Sequence, residues 1–121
     1  GIAVTLTDRP EDAAPFDLVL VDAPCSGSGS WRRDPEGKWA LTPDRLAAVM
    51  AEQSAILDRA AAMVGPGAAL AYATCSLLAE ENGTQIDRFL ARAPGWARAA
   101  EQSYSPLSGG DGFYLCILRR L

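Results

Sequence analysis

Apolar residues along this chain alternate between two spacings. Ala3 to Thr7 (AVTLT) is a short β-prone run, and Phe16 to Val21 (FDLVLV) is almost wholly apolar. The second pattern suits a strand buried on both faces of a parallel sheet, where neither face meets water. Thr42-Pro43-Asp44 then reads as a helix start: an N-cap hydroxyl, a proline in the first turn, and an acid at the positive dipole end. Leu46, Val49, Met50, Leu57, Ala60, Ala61 and Val64 follow at three- and four-residue spacing, a core-facing stripe. Gly65-Pro66-Gly67 stops it.

Ala68 to Thr74 (AALAYAT) predicts a second buried strand, built from small residues. A helix is expected from Glu80 to Arg92 with Ile86, Phe89 and Leu90 inward, ended by Pro94-Gly95. Gly83 inside it costs about 1 kcal/mol against alanine, which loosens the first turn. Trp96 to Ala100 and, more clearly, Gly112 to Arg119 (GFYLCILR) predict two further strands. Arg32 to Leu41 reads as loop, and "SPLSGGDG" as a turn-rich connector. Strands alternating with helices imply an α/β fold with a parallel-rich sheet, whose ligands bind at the carboxyl ends of strands.

At 121 residues the chain is one domain at most, long enough for a real core. No apolar stretch approaches the roughly 18 residues of a membrane-spanning helix. A net charge of −4 argues against a broadly basic nucleic-acid binder, so any positive charge for such a ligand must be local. Three widely spaced cysteines make no disulfide framework and suit a reducing, cytoplasmic setting. With no histidine there is no Cys–His nucleophilic pair, and too few soft donors remain for a zinc site. No metal is expected.

The candidate chemistry lies where the predicted strands end. "VDAPCSGSG" puts Asp22 and Cys25 after the first buried strand, and "ATCS" puts Cys75 after the second. Sequence-adjacent strands are spatial neighbours about two-thirds of the time, which would bring the two thiols to one edge. A thiol without histidine can act as a nucleophile if a helix N-terminus or nearby cations favour its thiolate. One reaction that needs this is methylation at carbon 5 of cytosine. There a thiolate adds to carbon 6 and turns the ring into an enamine. Read from the residues alone, both cysteines could equally be small buried hydrophobes. Cys116, within the last strand, fits that description best. Asp22 could simply cap the turn after it. Arg32, Arg33 and Lys38 form either a solvated cluster or, with Trp31 and Trp39 interleaved, a surface for RNA phosphates and unpaired bases. "GSG" at Gly27 to Gly29 lacks dinucleotide spacing and is expected to let the backbone approach a flipped base.

"FDLVLVDAPCSGSG", "RRDPEGKW", "ATCSLLAEEN" and "GGDGFYLCILRR" together resemble, in order, the blocks of the Sun/Fmu-type RNA 5-methylcytosine methyltransferases. The resemblance spans nearly the whole chain. It implies a Rossmann-like class I methyltransferase sheet with its last strand antiparallel, S-adenosylmethionine as cofactor, and RNA as partner, ribosomal RNA before tRNA. It implies Cys75 as nucleophile and Cys25 as the group assisting product release. Asp22 would lie by the methionine part of the cofactor, and Asp8, matched less closely, by its adenosine. A solvated acid at a strand end is the equal alternative for Asp8. Gly37 stands where the family usually has a branched apolar residue. The glycine-rich cofactor loop and the RNA-binding N-terminal region of the family would precede Gly1. The chain is therefore expected to be the C-terminal part of a catalytic domain that binds cofactor poorly alone.

Three rival readings stand beside this one. A DNA cytosine-5 methyltransferase would use Cys25 as nucleophile, and the second cysteine in "TCS" argues against it. An amino-group methyltransferase would carry an aromatic residue where "DAPC" has none. A catalytically incompetent remnant would serve as an RNA-docking module.

Overall fold

The computed structural model describes residues 1–107 and 109–121 with their side chains. Four strands form one sheet: β1 (Phe16–Asp22), β2 (Val64–Thr74), β3 (Trp96–Tyr104) and β4 (Phe113–Arg120), in the spatial order β1-β2-β4-β3. β1 and β2 run parallel, and β4 is antiparallel to both β2 and β3. The antiparallel last strand expected from the sequence resemblance is thus present. α1 (Pro35–Ala40) and α2 (Pro43–Ala62) connect β1 to β2, and α3 (Gly83–Arg92) connects β2 to β3.

α2 starts as its sequence requires, with the Thr42 hydroxyl accepting from the Arg45 N–H at 3.2 Å. Its stripe brings Leu57 and Ala60 against Leu70, Tyr72, Cys116 and Leu118 of the sheet, and α3 adds Ile86 and Phe89. Directly opposed pairs such as Leu70↔Leu118 and Tyr72↔Cys116 share one sheet face, so the helices and the core lie on that side. Cys116 is fully buried there and packs as a small hydrophobe.

Several expectations change. Ala3 to Thr7 forms no strand, and Ile2, Val4 and Leu6 are exposed, because no described strand completes their hydrogen bonds. Asp8 therefore ends no strand. Among the described residues β1 pairs only with β2 and is covered by helix on one side only, so Leu18 (60%) and Leu20 (66%) are exposed where burial on both faces was expected. Arg32 to Leu41 is not all loop, since Pro35 opens the short α1. β2 begins at Val64 rather than Ala68. Gly65-Pro66-Gly67 forms an irregularity between the Phe16↔Val64 and Leu18↔Ala69 pairs, and Gly67 takes φ +74° there. The stretch before α3 is a tighter turn at Ala79–Glu81, with the α-helix starting only at Gly83. β3 continues past Ala100 to Tyr104, because β4 offers a partner along its length. None of the described helices is long and apolar enough to cross a membrane.

Candidate active site

The site grows out of the parallel pair. Asp22 pairs with Ala73, and the ladder runs one residue further, the Ala23 N–H donating to the Ala73 carbonyl at 2.9 Å. The two chains therefore leave the sheet side by side, one into Pro24-Cys25 and the other into Cys75-Ser76. This brings Cys25 Sγ to 3.3 Å from Cys75 Sγ, both as free thiols. Cys75 is exposed and Cys25 half-buried. Burial, with the Cys75 thiol beside it, pushes the Cys25 thiol up to about 11. Cys25 thus keeps its proton at neutral pH and can donate it toward Cys75.

Alkylation follows from this difference. With limiting iodoacetamide at pH 7.5, Cys75 is expected to label first, Cys25 slowly and buried Cys116 not at all, as read by peptide mass mapping. Because the thiolate is the reactive form, Cys25 labelling should accelerate about tenfold per pH unit until pH approaches 11. A Cys25 that labels as fast as Cys75 at pH 7.5 would contradict this order.

The two loops are sewn together behind the sulfurs. The Gly29 N–H donates to the Cys75 carbonyl at 2.9 Å, and the Gly112 N–H donates to the Gly29 carbonyl at 2.8 Å. Ser28 Oγ lies 3.0 Å from Ser76 Oγ and accepts from the Leu77 N–H at 2.8 Å. Gly27 takes φ +73°, so one glycine of "GSG" serves the turn itself. Gly29 meets the Gly112 backbone, which packs too close for any side chain.

The residues before and after the cysteines are also held. Ser26, Ser76 and Gln53 all donate to the buried carboxylate of Glu81. Gln53 also donates to the Pro24 carbonyl at 2.8 Å. Asn82 donates to the Ser76 carbonyl at 2.8 Å and accepts from the Thr74 hydroxyl at 2.6 Å. Sequence reasoning passed over Glu81 and Gln53. Gln53 carried a legible signal: it lies four residues after Val49 and four before Leu57, a polar residue on the apolar stripe. Glu81 carried none, since nothing local separates it from its exposed neighbour Glu80.

The remaining predicted residues are less convergent. Asp22 ends β1 with its carboxylate exposed and in none of the side-chain hydrogen bonds or ion pairs among the described residues. Asp8 is exposed in a bend and is not drawn into the network around the cysteines. Arg32 and Arg33 share the single carboxylate of Asp111, at 3.2 Å and 2.5 Å. The Arg33 guanidinium, with Arg32, holds Asp111 below its usual carboxylate range. Lys38 lies 5.7 Å from the ring centroid of Trp39, itself strongly exposed. Trp31 rests on Gly37, whose missing Cβ would sit 3.2 Å from the indole. A cleft of about 190 Å³ opens beside Cys25, walled by Ser26, Gly37, Ala40, Leu41, Arg45 and Val49. No cluster of His, Cys, Asp or Glu suited to a metal ion occurs among the described residues.

The family model described as "16S rRNA methyltransferase RsmB/F" matches residues 3–118. "Ribosomal RNA small subunit methyltransferase B" of Pasteurella multocida is 39% identical over 127 residues, covering 96% of this chain and 28% of that protein. The chain thus spans little more than a quarter of the length of the curated relatives it matches. Among solved structures, that of PH0851 superposes with a TM-score of 0.85 at 31% identity, covering 92% of this chain and 28% of the other. The structure of "NSun6 from Pyrococcus horikoshii with SFG" superposes with a TM-score of 0.79 at 25% identity, covering 97% of this chain and 34% of the other.

Proposed function

The chain belongs to the 16S rRNA methyltransferase RsmB/F family, and we propose that it is the C-terminal part of a catalytic domain methylating carbon 5 of a cytosine in ribosomal RNA. The observation that carries this reading is the pair of free thiols 3.3 Å apart at the carboxyl ends of adjacent parallel strands. A single reactive cysteine serves many chemistries. A second thiol at hydrogen-bond range suits a reaction in which the first must bond to substrate and then leave.

Cys75, the exposed sulfur, adds as thiolate to carbon 6 of the cytosine. The carbon 5–carbon 6 electrons move onto carbon 5, which becomes nucleophilic enough to take a methyl group. Solvent water then takes the carbon-5 proton, and the electron pair of that C–H bond restores the ring double bond and expels the Cys75 sulfur with its own electron pair. Cys25, still protonated at neutral pH, donates its S–H to that departing sulfur. S-adenosylmethionine, when bound, supplies the methyl group as an electrophilic sulfonium. The residues present suit one side of that cofactor, since Asp22 offers a free carboxylate at the strand end where α/β sheets take ligands. Arg32, Arg33 and Lys38 supply phosphate contacts, with exposed Trp39 as a stacking surface for an unpaired base.

The test is adduct trapping in the full-length protein. With S-adenosylmethionine and RNA present, Cys25→Ala is expected to accumulate a protein–RNA species that survives denaturing electrophoresis, while wild type turns over. Ribosomal RNA, tRNA and DNA fragments run in parallel identify the substrate. An adduct formed by Cys75→Ala instead would exchange the two roles.

A further inference from the structure

Glu81 is wholly buried, and no cation among the described residues pairs with it. Such a charge is costly to keep from water unless hydrogen bonds replace the lost hydration. Here donors converge on both oxygens. Oε1 accepts from the Ser26 N–H at 2.6 Å and from Gln53 Nε2 at 3.2 Å, while Oε2 accepts from the Ser26 hydroxyl at 2.6 Å and from the Ser76 hydroxyl. The Glu81 carbonyl also accepts from Tyr72 OH at 2.7 Å, tying its backbone to β2.

What matters is where those donors sit. Ser26 follows Cys25, Ser76 follows Cys75, and Gln53 also grips the carbonyl of Pro24, immediately before Cys25. Gln53 in turn accepts from Gln85 at 3.0 Å, which bonds the Met50 carbonyl, so the assembly is braced on α2 and α3. One carboxylate therefore holds the neighbours of both thiols at once, each a single residue away from its sulfur.

We infer that Glu81 is a positioning residue, whose carboxylate sets the separation and relative aim of Cys25 and Cys75. This rests on the thiol chemistry proposed above and deepens it. A neutral amide in the same place turns two acceptor positions into donors that face the two serine hydroxyls. Ser26 Oγ accepts from the Ser28 N–H at 3.2 Å and can accept once more, but its own O–H loses the carboxylate oxygen that took its hydrogen. The loops then shift relative to each other, and displacements near 1 Å at reacting groups cost on the order of a hundredfold in rate.

The experiment compares wild type, Glu81→Gln and Glu80→Gln in the full-length protein. Its first readout needs neither RNA nor cofactor: the rate at which dibromobimane bridges Cys25 and Cys75, followed by fluorescence and intact mass. Glu81→Gln is expected to bridge at least about tenfold more slowly while Cys75 still takes a single alkylation, and Glu80→Gln is expected to match wild type. The second readout is a fall in kcat on the order of a hundredfold at unchanged KM for RNA. Wild-type bridging in Glu81→Gln overturns the inference even if methylation is confirmed. Slow bridging sustains the positioning role even if the RNA chemistry proves different. Should Glu81→Gln fail to fold, Ser26→Ala and Ser76→Ala each remove one hydroxyl from the carboxylate and carry the same comparison.

Discussion

Cys75→Ala in the full-length protein is expected to lower methyl incorporation into RNA by at least about a thousandfold, to the residue that binding and orientation alone provide. The size follows from the chemistry. Carbon 5 of an intact cytosine ring carries too little electron density to attack a sulfonium carbon, and the alanine variant cannot raise it. Nothing nearby substitutes: Cys25 keeps its proton, with its thiol pushed up to about 11, and Cys116 is buried in the core. RNA affinity should change little, because the cations at Arg32, Arg33 and Lys38 are untouched. Labelled methyl transfer, paired with a filter-binding assay for RNA, checks both statements. Retention of a tenth or more of wild-type turnover would remove Cys75 from the reaction.

The second large effect is structural. Gly29→Ala places a Cβ 2.2 Å from the Gly112 carbonyl oxygen and 2.7 Å from its carbon, inside the hydrogen-bonded contact that joins the two loops. Both partners are backbone, so no side chain can swing aside. Overpacking of this kind costs about 3 kcal/mol and moves the backbone that carries the cysteines. Gly67→Ala makes the useful contrast. It suffers the left-handed φ of +74° but meets open space, and should cost only about 1–2 kcal/mol. Thermal unfolding of the full-length protein is expected to show the lower Tm for Gly29→Ala, with methylation reduced there and kept in Gly67→Ala. The reverse order would mean the Gly29–Gly112 contact yields easily.

Much of the frame was readable along the chain because its causes are local. The N-cap at Thr42, the helical stripe from Leu46 to Ala61 and the aromatic and aliphatic run of β4 each state their structure within a few residues. The misreadings share a cause too. Ala3 to Thr7 has strand composition, yet a strand exists only when another strand pairs with it. Leu18 and Leu20 look like core residues, yet burial needs a covering element, and the helices pack on the opposite face. β3 outran its predicted end for the converse reason, since Ser103 and Tyr104 find partners in Tyr114 and Phe113.

The candidate site divides along the same line. Residue order alone marked the candidate residues: a thiol just past each of two apolar strands, with an acid before one and cations after it. Proximity was legible only as a condition, because a gap of fifty positions closes only when β1 and β2 pair in parallel and end in register. The same holds for the arginines, which sequence marked as basic and the folded chain ties to Asp111 across nearly eighty residues. It holds most for Glu81. Its neighbour Glu80 has the same side chain and opposite surroundings, so only the packed structure tells a solvated acid from one that gathers donors around two sulfurs. Local pattern decides what a segment is, whereas long-range contact decides what it touches, because hydrogen bonds and burial depend on distances that sequence spacing does not set.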